Sequence, residues 1–109
     1  MKIMINMNGQ KFQEYITHCR KPILVEFYAP YCVYCRRLAP IMEKIAEQFA
    51  DPLVIGQVDI DREPALAQQE QIEIVPTLVL YQNGQAVGSI VAPASKAAIE
   101  AFLQEALGL

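Results

Sequence analysis

Cys32 and Cys35 are two thiols three positions apart, in the segment Cys32-Val33-Tyr34-Cys35. They follow a near-continuous apolar run, Ile23 to Tyr28, and precede a helical pattern running from Leu38 to Phe49. In the first turn of a helix, residues i and i+3 lie on neighbouring faces, so such sulfurs come within disulfide reach. The unsatisfied amides at a helix N-terminus favour negative charge on the first sulfur and arm it as a nucleophile. The chemistry implied is reversible thiol–disulfide exchange, with Cys32 attacking and Cys35 resolving the mixed disulfide. The bland alternative is a pair of buried structural thiols.

Glu26 is the polar residue that fits this chemistry best. It interrupts an apolar strand, between Val25 and Phe27, six residues before Cys32. A buried carboxylate has a raised pKa and suits proton exchange with the resolving thiol, provided the strand places it beneath Cys35. If instead it points to solvent, it is an ordinary strand-end carboxylate. A zinc site built from His18, Cys19, Cys32 and Cys35 is the competing metal reading. Adjacent residues rarely aim at one metal, no second C-x-x-C exists, and a buried strand separates the two pairs, so no metal is expected. Cys19 and His18 then read as the last turn of a helix, where histidine is compatible with the helix dipole. Arg36 and Arg37 form the longest basic run and read as a solvated helix face.

These side chains need a framework, and the rest of the chain supplies one. With 109 residues, 53% hydrophobic and 19% charged, the composition is that of one globular domain with a core of its own. A net charge of −3 without a basic patch points away from nucleic acid and from anionic membranes. No apolar stretch approaches the roughly 20 residues of a membrane span. Residues 1–10 lack the pattern of a secretory leader, and three cysteines are too few for a disulfide scaffold. A cytoplasmic setting is the expectation, in which a C-x-x-C is catalytic or metal-binding rather than structural.

Ile3-Met4-Ile5 suggests a short strand, and Phe12, Tyr15 and Ile16 recur at helical spacing up to Cys19. Lys21-Pro22 stops that helix, because the residue before proline is pushed out of the helical region. Ile23 to Tyr28 reads as a strand buried on both faces. The cysteine helix is predicted over Cys32 to Phe49, with a kink at Pro40 and a stop at Asp51-Pro52. Leu53 to Asp59 is a second buried strand, and Asp61 to Glu70 a short helix with Pro64 in its first turn. Thr77 to Tyr81 and Ala86 to Val91 flank Asn83-Gly84, a hairpin signal. Ser95 opens a final helix with Ile99, Phe102, Leu103 and Leu107 on one face. This alternation predicts an α/β layer structure, and the hairpin requires the sheet to be mixed.

With Val25-Glu26-Phe27-Tyr28-Ala29-Pro30-Tyr31-Cys32 and Leu38-Ala39-Pro40, the chain resembles the thioredoxin superfamily over nearly its whole length. The active-site flank is similar to that of protein disulfide isomerase domains, and the single-domain length to that of a free thioredoxin. Val75-Pro76-Thr77 resembles the family's cis-proline loop, and Asp59-Ile60-Asp61 and Asn83-Gly84 fall where the family has comparable residues. The resemblance implies a thioredoxin fold, a central mixed β-sheet flanked by α-helices. It implies a catalytic set of Cys32, Cys35 and Glu26, with Tyr31, Val33, Val75, Pro76 and Ala92 contacting substrate. A cis bond at Pro76 would leave the Val75 backbone free to pair with an extended peptide. It further implies protein disulfides as substrates, a thioredoxin reductase-type electron donor, no bound cofactor and a monomer.

Departures from the family pattern qualify the picture. Gln57 stands where relatives commonly place a lysine opposite the acid, which makes Glu26 easier to protonate. Tyr31 stands at a position often held by tryptophan, and Ala92 replaces a glycine that shapes the partner groove. Val33 and Tyr34 match neither the Gly-Pro of reducing thioredoxins nor the Gly-His of isomerases. Without a histidine cation a strong oxidase is disfavoured, yet a strongly reducing potential does not follow either. The leading expectation is a reductant of protein disulfides. A disulfide isomerase or oxidase is the alternative enzyme, and a non-catalytic thioredoxin-fold binding module the alternative outside enzymes.

Overall fold

A computed structural model describes residues 4–108. In chain order the elements are β1 (Met4–Asn6), α1 (Gly9–His18), β2 (Ile23–Tyr28), α2 (Val33–Gln48), β3 (Val54–Asp59), α3 (Pro64–Gln69), β4 (Thr77–Gln82), β5 (Gln85–Val91) and α4 (Lys96–Leu107). The strands form one sheet in the order β1-β3-β2-β4-β5. β1 and β2 flank β3 in parallel, whereas β2–β4 and β4–β5 pair antiparallel. The expected mixed α/β sheet is therefore present, with β2 at its centre. Ile3, part of the expected first strand, lies outside the described residues.

The helix boundaries follow local chemistry. Asn8 caps α1 by accepting the Lys11 amide at 2.8 Å, and Ser95 caps α4 by accepting the Ala98 amide at 3.1 Å. The α3 helix is shorter than its pattern suggested and begins only at Pro64, whose missing N–H fits a first helical position. α2 runs through Pro40 without interruption. The hairpin forms as expected: Asn83 and Gly84 both take positive φ, 54° and 81°, between the paired Gln82 and Gln85. That combination matches the right-handed strand twist and is open to asparagine and glycine. A register irregularity between Leu80 and Tyr81 had no sequence signal.

Strand alternation divides the core into two apolar layers. On one face, Leu24, Ile55, Leu78 and Leu80 pack with Leu38, Met42 and Ile45 of α2 and Ile99 and Leu103 of α4. On the other, Ile23, Val25, Phe27, Val58 and Val79 pack with Phe12 of α1 and Leu66 of α3. This double coverage explains why β2 reads as a near-continuous apolar run. Glu26 shares the parity of Leu24, so its side chain is directed to the face that α2 covers. That placement puts the carboxyl on the side of the sheet where the cysteines lie.

Candidate active site

β2 ends at Tyr28, and a tight turn follows in which the Cys32 amide donates to the Ala29 carbonyl at 3.1 Å. Cys32 has extended backbone (φ −79°, ψ 116°) and caps α2 rather than forming its first turn. Its Sγ takes the place a serine oxygen usually fills, accepting the Cys35 amide at 3.1 Å. The first sulfur is thus held in place at the head of α2 by a helix-terminal N–H. Cys32 is half-exposed and Cys35 is buried, and both are free thiols. One sulfur reaches a partner, and the other waits a turn deeper.

Burial pushes the Cys35 thiol up to about 12, helped by its hydrogen bond with Cys32 and by nearby negative charge that includes Glu26. Such a thiol does not ionise on its own at neutral pH. Glu26 is only 4% exposed, and burial raises its carboxyl from 4.5 to about 7. Among the described residues no side chain hydrogen-bonds to that carboxyl. In the sheet its neighbours are Gln57 on β3 and Leu78 on β4. Gln57 does stand beside Glu26, as the sequence suggested, but its amide donates to Asn6 Oδ1 on the far side.

A second loop completes the rim. The Val75–Pro76 peptide is cis, and the Val75 carbonyl lies 3.9 Å from Cys32 Sγ. The Ala92 amide donates to the Pro76 carbonyl at 2.8 Å, which joins the end of β5 to this loop. Ala92 itself has φ +44°, a left-handed conformation that favours glycine. Around the sulfur, Tyr31, Val33 and Tyr34 are all more than half exposed, and so is Ile74. Val91 is exposed at the edge as well, and a groove lined by Ile60, Ile74, Thr77 and Val91 leads away from the site.

The structure therefore brings Cys32, Cys35, Glu26, Tyr31, Val33, Val75, Pro76 and Ala92 to one end of the sheet. Ile74 and Val91 were not singled out by the sequence reading. Ile74 directly precedes Val75-Pro76, and that adjacency was the available signal. Arg36, read as solvated, ties its Nε to the Pro30 carbonyl at 3.1 Å while remaining exposed. Cys19 sits before β2, at the strand's other end, packed beside the layer of α1. Among the described residues no three metal-ligating side chains gather.

A family model described as Thioredoxin matches residues 3–105. The chain belongs to the thioredoxin family. It is 37% identical over 100 residues to the thioredoxin of Buchnera aphidicola subsp. Baizongia pistaciae, covering 92% of each chain. Thioredoxin 1 of Synechococcus elongatus is 31% identical over 107 residues, covering 98% of this chain and all of that one. The bifunctional thioredoxin reductase/thioredoxin of Mycobacterium leprae is 34% identical over 97 residues, which cover 89% of this chain and 21% of that longer protein. Family membership and the Cys32–Cys35 pair make the protein a thiol–disulfide oxidoreductase of the thioredoxin type. No helix among the described residues is long and apolar enough to cross a membrane.

Proposed function

We propose that this single thioredoxin-like domain reduces protein disulfides through Cys32, with Cys35 resolving and Glu26 moving the proton. The observation that carries the reading is the Cys35 amide bonded to Cys32 Sγ at the head of α2. The Cys32 thiolate attacks one sulfur of a partner's disulfide; that S–S bond breaks and the other partner sulfur leaves as a thiolate, which takes up a proton. Glu26, ionised for this step, then accepts the Cys35 proton, and Cys35 attacks Cys32 Sγ. The Cys32–Cys35 bond forms, the mixed disulfide breaks, and the second partner sulfur departs as a thiolate. Two electrons have passed to the partner, and Glu26 holds a proton to return in the reverse direction.

The rim suits an extended, flexible segment. Tyr31, Val33 and Ala92 offer small apolar contacts, and the Val75 backbone beside Pro76 offers strand-like pairing. A contact surface of this kind favours weak, transient docking. Electrons are supplied by a partner reductase of the thioredoxin reductase type, a reading supported by the bifunctional M. leprae relative. The protein works as a monomer in the cytoplasm, without a bound cofactor. Insulin-disulfide reduction tests the proposal. Wild type turns over and Cys32→Ser falls to background; equal rates for the two proteins would leave only a binding module. Equilibration with glutathione separates reductant from isomerase, a potential at the isomerase end favouring the latter.

A further inference from the structure

One row of side chains crosses the sheet beneath the active site. β1–β3 and β2–β3 registers align Asn6 with Gln57 and Gln57 with Glu26, so all three share a face. Strands lie about 4.8 Å apart, and a glutamine amide reaches either neighbour. Here it reaches Asn6, and the Met7 amide donates to the Gln57 carbonyl at 2.9 Å, which keeps β1 alongside. The carboxyl on the other side is left without that donor. We propose that Asn6 is a positioning residue, which by holding the Gln57 amide keeps a hydrogen-bond donor off Glu26.

The consequence follows from which form of the acid a donor prefers. An amide N–H bonded to the carboxyl favours its ionised form, because hydrogen bonds to charged groups are the stronger ones. Tethering Gln57 to Asn6 therefore leaves burial as the dominant influence and keeps the carboxyl easy to protonate. The other groups near Glu26 are few. Cys35 comes from α2 and Tyr28 from β2, Asp59 of β3 and Arg62 beyond its end act on Tyr28, and β4 presents Leu78. A surface cleft lined by Asn6, Tyr28, Gln57, Asp59 and Arg62 opens on the outer side of the row. Asn6 is exposed at the end of an edge strand, so replacing it disturbs little of the core.

The inference rests on the proposed role of Glu26, and two separate readouts keep the two apart. Carbon-detected NMR of a Glu side-chain-labelled protein titrates Glu26 directly in wild type, Asn6→Ala, Gln57→Leu and the double variant. Asn6→Ala frees the amide, and the Glu26 midpoint falls by about half a pH unit, roughly a threefold gain in acidity, the net scale of one side-chain hydrogen bond. The double variant titrates like Gln57→Leu, because the effect passes through that amide. A midpoint in Asn6→Ala equal to wild type, or a shift that persists in the double variant, overturns the proposal. Turnover of Glu26→Gln tests the proton role itself, so failure of that role leaves the titration result readable.

Discussion

Cys32 Sγ and the Val75 carbonyl lie 3.9 Å apart, although 43 positions separate them in the chain. The contact joins the head of α2 to the loop before β4, across the mouth of the site. A peptide that approaches Cys32 must therefore pass the Val75 backbone, and the two thiols meet partners differently. Only Cys32 faces that opening; Cys35 lies behind it, buried.

Cys35→Ser removes the resolving sulfur while leaving the attacking one exposed. The variant accumulates a mixed disulfide with a protein substrate, and its steady-state turnover drops to background. Non-reducing electrophoresis or mass spectrometry after mixing with oxidised insulin detects the adduct. A variant that releases product at the wild-type rate would contradict the order of attack.

Glu26→Gln separates proton transfer from stability. Losing a general base slows release of the reduced partner by about 100-fold or more, seen in single-turnover quench experiments. The carboxyl is raised from 4.5 to about 7 in the folded protein, so folding favours its neutral form. The Glu26 contribution to stability is then greatest below the unfolded value, falls between pH 4.5 and about 7, and levels off above. The total fall is about 3 kcal/mol. Glu26→Gln abolishes it, and is therefore the more stable protein at pH 8 but not at pH 4, by urea unfolding.

Gln57→Lys places a cation beside Glu26, its register partner. The attraction favours the carboxylate and lowers its midpoint by about one pH unit. The same side-chain titration measures it, and identical midpoints would count against the pairing of the two positions.

Ala92→Gly relieves a left-handed backbone at φ +44° without disturbing the amide that donates to Pro76. The gain in stability is about 1 kcal/mol, read as a shift in the denaturant midpoint at constant slope. Removal of the methyl also widens the rim beside Cys32. Relative rates across a panel of disulfide peptides change, those with bulky residues next to the cysteine gaining most.

Much of the architecture was legible because local chemistry specifies it. Asn8, Ser95, Pro64 and Asn83-Gly84 mark ends and turns by bonds or torsions that involve only neighbouring residues. The near-continuous apolar run of β2 announced a strand covered on both faces, and C-x-x-C between such a strand and a helix announced the chemistry. Gln57 beside Glu26 was implied only by the family resemblance, and the place of Asn6 in their row had no signal at all. It depends on β3 lying between β1 and β2, a crossover that periodicity does not encode.

From the sequence alone came the identity of the reactive groups and the faces on which their elements turn, since both are properties of short segments. Tertiary structure alone decided that Cys32 is a cap, that Val75 faces its sulfur, and that Gln57 turns from Glu26 to Asn6. Those relations arise where strands distant in sequence are brought into register. Burial, which sets the proton affinity of Glu26 and Cys35, exists only once both layers of the core have closed around them.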